Sequence, residues 1–192
     1  MGKFFANLNL VLVSGLAVAI LIMVFPDSGY AGSVGAGDLT VGILQWLHVF
    51  FGIVWIGLLY YFNFVQTPTM PTIPAELKPG VSKYIAPKAL FYFRWGAAFT
   101  VLTGLGLAYR YGELVEALTL QPSARLIGIG MWLALIMAFN VWVIIWPNQK
   151  KVLGLVAADD AAKAKAASTA GIASRLNVLL SIPMLLAMTN MH

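Results

Sequence analysis

Cysteine is absent from the 192 residues. Its absence excludes disulfides, thiolate metal sites and the CxxCH attachment of covalent haem c, so any haem in this chain would be held noncovalently. Charge is also scarce: Asp, Glu, Lys and Arg make up 10% of the chain, against 60% hydrophobic residues. Histidine occurs twice, at 48 and 192. Segments of about ten alternating apolar and polar residues are missing, which excludes a transmembrane β-barrel. No internal repeat is evident, and this counts against the inverted-repeat transporter folds.

What is present is apolar sequence in long runs. The mean hydropathy of +0.86 is far above what the core of a soluble domain requires. A helix needs roughly 20 apolar residues to cross a bilayer core about 30 Å thick. Five segments meet that length: Phe4 to Phe25, Val41 to Val65, Lys88 to Tyr109, Arg125 to Trp146 and Gly171 to Met191. The expected fold is therefore all-α, a polytopic membrane bundle of five transmembrane helices with residues 1–192 as a single membrane domain. The first run follows Lys3 as a secretory signal would, but it exceeds the 7–15-residue apolar core typical of such signals, and it is expected to be retained.

Positively charged loops stay on the cytoplasmic side of a membrane. With five spans, the N-terminus and the second and fourth loops share a side, and they hold Lys3, Lys78, Lys83, Lys88, Lys150, Lys151, Lys163, Lys165 and Arg175. The other side has Arg110 and Arg125, and loop 26–40 carries two Asp and no cation. The expected orientation is N-terminus cytoplasmic and C-terminus outside, in a bacterial inner membrane. The net charge of +5 is then a topogenic signal, because its cations are split among loops beside membrane spans, and nucleic acid is not an expected partner. Segment 67–87 contains five prolines and is expected to be an extended connector. Segment 152–170 is alanine-rich, with Asp159 and Lys163 spaced as an i,i+4 pair, and reads as a solvated helix leading into the last span.

Residues 41–66 contain His48 and no other titratable side chain except tyrosine. An ionisable group within a span points to function, because an unpaired polar group in hydrocarbon costs several kcal/mol. His48 lies about seven residues into its span, or roughly 10 Å deep at 1.5 Å per residue. His192 would reach the same side from the end of the fifth span. Two imidazoles on one side of a bundle suit axial ligation of haem b, with His48 as the metal ligand and His192 as its candidate partner. Phe51 and Trp55 follow His48 at helical spacing and would wall that pocket, supported by Trp46, Phe50 and Tyr60. The plainer alternative gives His48 one hydrogen bond to a neighbouring helix and makes His192 a frayed end.

Asn140, Asn63, Asn177 and Gln45 are amides within spans, suited to interhelical hydrogen bonds. Arg94 can snorkel toward the nearer face. Met184, Met188, Met191 and His192 share one face of the last span, a set that could accept Cu(I), though methionines more often fill gaps in a core. Gly104, Gly106, Gly128 and Gly130 suit close helix approach.

Three stretches resemble the N-terminal membrane domain of bacterial membrane-anchored urate oxidases: WLHVFFGIVWIG at 46–57, NVWVIIWPNQKKV at 140–152 and SRLNVLLSIPMLLAMTN at 174–190. The resemblance spans residues 41–192, and the second span alone is also similar to the LH...W.G.L.Y segment of HemJ-type and CopD-type haem-linked membrane proteins. The urate oxidase resemblance implies a longer membrane domain followed by a cytochrome c domain. This chain departs from it by having no cysteine, by carrying Leu176 and Met191 where histidines are expected, and by placing His192 one residue late. His48 is the position that matches.

Together these features predict a haem b-binding or electron-transfer subunit of a membrane redox system. Its expected partners are the lipid bilayer, other membrane subunits or copies of itself, and a cytochrome c. The alternatives are a noncatalytic accessory subunit of a larger complex, or copper or small-solute transport. Enzymatic activity is left open.

Overall fold

The structure, a computed structural model, describes residues 6–24 and 39–189 and contains two compact units, Met1–Leu44 and Gln45–His192. In the first unit, helix α1 (Leu8–Val24) opens at Asn7, whose Oδ1 accepts the Leu10 amide at 3.2 Å and so satisfies one of the free donors of the first turn. Leu8, Leu12, Val13, Val18 and Leu21 are all exposed on it. At 17 residues the helix is shorter than the four that follow.

Those four helical stretches are long and apolar enough to cross a membrane: Leu39–Thr72, Lys78–Arg110, Pro122–Val152 and Asp160–Thr189. They contain α2 (Leu39–Tyr60), α3 (Ala86–Arg110), α5 (Arg125–Phe139), α6 (Trp146–Val152) and α7 (Asp160–Thr189), with a short α4 (Leu114–Leu118) between α3 and α5. Five spans were expected, and four reach that length among the described residues. The chain leaves α3 through Gly112 and α6 through Gly154, both at positive φ (73° and 74°), where a side chain would be strained.

The proline-rich segment departs from the extended connector expected of it. Helical winding continues from Tyr60 through Thr72 and resumes at Lys78, leaving a short break over 73–77. The reason is how the prolines are placed. Tyr61–Gln66, Val81–Ile85 and Asn140–Ile145 are wound as π-helix, and each is followed by an α-segment with proline at its second residue: Pro68, Pro87 and Pro147. Proline lacks an N–H, and its ring collides with the carbonyl four residues back, here Phe64, Lys83 and Val143. The wider π turn relieves that collision without ending the helix. Span four consequently runs past Trp146 to Val152.

The Asp159–Lys163 ion pair is also corrected. Asp159 caps α7 instead, accepting the Ala162 amide on Oδ1 at 2.7 Å, and Lys163 lies 3.8 Å from Asp160. The cap satisfies a free first-turn donor, and that use of the carboxylate competes with pairing to Lys163.

Burial in the second unit fits a membrane environment. Ile53, Leu102, Leu179 and Leu186 are exposed, while Asn140, Asn177 and Ser181 are buried beside Trp55, Leu59, Phe93, Met137 and Val141. Apolar surface outside and paired amides inside suit helices packing in lipid, where the hydrophobic effect does not drive helices together. Helix α7 packs along α5 and α6. Between α5 and α7, Asn140 Nδ2 donates to Asn177 Oδ1 at 2.8 Å, and Asn177 Nδ2 donates to the Met137 carbonyl at 3.0 Å. Asn63 Nδ2 donates to Ser174 Oγ at 2.8 Å, and Tyr60 and Ser181 share a 2.9 Å hydroxyl bond. Three of the four amides thus bond as expected, and Gln45 is exposed.

Candidate functional site

His48 sits on α2 facing α3. Its Nδ1 lies 2.9 Å from the Thr100 carbonyl oxygen and 3.4 Å from Thr103 Oγ1. A carbonyl only accepts, so Nδ1 carries the proton and Nε2 keeps its lone pair. The Thr100 and Thr103 hydroxyls turn back onto their own helix, at Gly96 and Phe99, as buried threonines commonly do, and Thr103 Oγ1 also donates to the Thr100 carbonyl at 3.1 Å, so His48 shares that acceptor. Gly104 makes room for the ring, since a Cβ there would lie 2.8 Å from Cε1 and 3.0 Å from Nδ1. Among the described residues no hydrogen bond reaches Nε2.

Beside the ring is a cavity of about 30 Å³ lined by His48, Thr100, Gly104, Met131, Ala134 and Met188, among others. That is space for one or two waters. The aromatic residues expected to wall a haem pocket are used elsewhere. Phe51 stacks on Phe99 with ring centroids 4.8 Å apart, and Trp55 is sealed in the core against Gly96. Neither lines this cavity. His192 and Met191 lie outside the described residues. The donor chemistry of His48 suits a metal ligand, with one nitrogen anchored and the other unbonded. The space does not suit a porphyrin, so the described bundle does not accommodate haem b in this cavity.

Of the methionine face, Met188 lines the cavity with His48, while Met184 is buried in the core. Met131, on α5, joins them, a residue whose position only the fold reveals. Among the described residues no group of three His, Cys, Asp or Glu could hold a metal ion. Arg94 does not simply extend to the surface: its guanidinium carbon lies 3.2 Å above the Trp146 ring and 5.9 Å from Trp142, and Nε and Nη1 are buried without a hydrogen bond. A cation over an indole face is attracted by the ring quadrupole, which helps hold the arginine at this depth.

At the other end of the bundle, some 14 residues or roughly 20 Å further along α2 and its π continuation, lies a larger cavity of about 440 Å³. Gln66 and Arg175 line it, and sequence reasoning singled out neither for a site. The available signal was the set of prolines at 68, 87 and 147, whose π windings border this space.

Residues 111–192 match the family model described as urate oxidase N-terminal. Two of the three resembling stretches, 140–152 and 174–190, fall inside that match, whereas His48 and α2 lie outside it. No curated protein and no solved structure matches the chain. The likeness of the second span to HemJ-type and CopD-type proteins is not carried by these comparisons.

Proposed function

We propose, from the likeness of residues 111–192 to the urate oxidase N-terminal family, that this chain is a membrane subunit of a redox system whose electron-carrying centre is supplied by a partner. The observation that carries the reading is the use made of His48. The imidazole is anchored to Thr100, packed on Gly104 and left with room for one or two waters, as in a helix-packing tether. Lack of cysteine in this sequence removes covalent haem c from its own repertoire, so a cytochrome c belongs to the reading as a partner. Five spans, a cytoplasmic N-terminus, an outer C-terminus and a bacterial inner membrane complete it, supported by the asymmetry of lysine and arginine.

Native electrophoresis of membranes dissolved in mild detergent tests the proposal. The chain should run in an assembly well above its own 20.8 kDa that stains for haem, and lose that stain once stripped of its partners. Migration as a lone, haem-free chain from its native membrane contradicts it.

A second reading keeps haem b on this chain with His48 as axial ligand. The fixed Nδ1–H and unbonded Nε2 favour it, because metal-bound imidazoles commonly donate their other nitrogen to a backbone carbonyl. It requires a site on another flank of the ring. Copper held by His48, Met131 and Met188 is the small-ion variant, in keeping with soft ligands around a small cavity.

A further inference from the structure

We infer that Arg94 and Lys150 hold the phosphate of an anionic phospholipid against the flank of the bundle, at the end where α3 begins and α6 finishes. This inference stands apart from the His48 reading. Both cations are gathered on one indole: the Arg94 guanidinium carbon lies 3.2 Å and the Lys150 ammonium nitrogen 5.9 Å from the centre of the Trp146 ring. The fold brings them there, because Arg94 is about two turns into α3, while Trp146 opens α6 and Lys150 follows it by about one turn. Neither charge is neutralised. Among the described residues no carboxylate pairs with Arg94 or Lys150, and the sequence has no Asp or Glu from 77 to 112 or from 117 to 158. A cation without a counter-ion beside a span is costly, and the ring quadrupole offsets only part of that cost. Arg94 Nε and Nη1 are covered and have no hydrogen-bond acceptor, whereas Nη2 does not share that burial and is the donor that a ligand can reach.

The surroundings select an anion that carries acyl chains. Phe91, Trp95 and Phe99 stand four residues apart on α3, all exposed, and make an aromatic stripe along the helix. Trp95 meets Trp142 edge to face with centroids 5.7 Å apart, and Phe99 stacks on Phe51 of α2. The Arg94 guanidinium carbon is itself 5.9 Å from the Trp142 ring, so the cations and the stripe are continuous through that indole. A soluble anion would leave the stripe unused. A phospholipid sets its phosphate on the two cations and lays its chains along the rings, in keeping with the tryptophans and basic residues that gather at the headgroup level of a bilayer. A zwitterionic lipid has the same phosphate but adds a quaternary ammonium, which the two cations repel.

Native mass spectrometry of the full chain, taken from micelles holding equal amounts of phosphatidylglycerol and phosphatidylcholine with the same acyl chains, tests the site. Retained phosphatidylglycerol should exceed phosphatidylcholine by about tenfold. Arg94→Gln and Lys150→Gln should each cut that preference about fivefold, and the half-exposed Lys150 keeps the test intact if Arg94→Gln does not fold. Arg94→Lys keeps the charge without the planar fork and should recover the preference in part. Lys165→Gln removes an exposed lysine from α7 at the same end and should leave the preference unchanged. In bilayers of the same two lipids, phosphatidylglycerol with brominated chains should quench tryptophan fluorescence more than brominated phosphatidylcholine, and that excess should vanish in Arg94→Gln. Equal retention of the two lipids by the folded wild-type chain overturns the inference. So does a preference that Lys165→Gln lowers as much as Lys150→Gln does, because the attraction would then be diffuse.

Discussion

Asn140 and Asn177 are joined by a 2.8 Å amide bond across helices otherwise packed through apolar side chains, and Asn177 passes the link on to the Met137 carbonyl. The chain of bonds satisfies Asn140 Nδ2 and both ends of the Asn177 amide within an apolar interior. Replacing Asn177 with valine breaks both bonds and strands Asn140, so a loss of about 1–3 kcal/mol is expected. Removing both partners should cost less than the sum of the single changes. Thermal unfolding of the purified chain in detergent, run as a double-mutant cycle over Asn140→Val and Asn177→Val, measures the coupling. Strict additivity would contradict the link.

Close approach at the glycines gives graded expectations. A Cβ at Gly104 meets His48, a side chain able to rotate away, whereas a Cβ at Gly128 runs into the Ala117 carbonyl of α4, which is backbone. Gly104→Ala should therefore fold with a moderately lowered melting temperature, within the roughly 1–3 kcal/mol of ordinary overpacking. Gly128→Ala should lose more, and Gly57→Ala, with nothing within 4 Å, should be close to neutral. Equal melting temperatures for the Gly104 and Gly128 variants would contradict the packing described.

Pro147 is argued to cause the π winding of Asn140–Ile145. In Pro147→Ala the new N–H can donate to the Val143 carbonyl, so the segment should tighten toward α-helix. Hydrogen exchange over 140–152 is expected to slow. Exchange unchanged from wild type would mean that packing, and not the proline, imposes the wide turn.

Much of the fold was readable because hydropathy is nearly binary in a membrane: Val41 to Val65 and Arg125 to Trp146 are apolar enough that helix is the only reading. That Asn140 and Asn177 would bond between helices followed from the same cost of polar groups in lipid, but that they would bond each other was visible only in the fold. Proline misled the reading of 67–87, since its rule concerns a missing donor and a clash, both of which a π turn absorbs. Local spacing also put Phe51 and Trp55 beside His48, but spacing along one helix does not say which neighbour fills the facing space. Phe99 and Gly96 on α3 took those rings. The larger cavity was hidden for a related reason: Gln66 and Arg175 are more than 100 positions apart, and only the closed bundle brings them to one space.

His48 supports the most direct test of the central claim that this imidazole is a packing tether and that the redox centre belongs to a partner. Reduced-minus-oxidised absorption spectra should be recorded on the purified chain and on His48→Ala. The account predicts no Soret or α band in either protein, with a lower melting temperature in the variant from loss of the bond to Thr100. Bands present in the wild type and abolished in His48→Ala would contradict it.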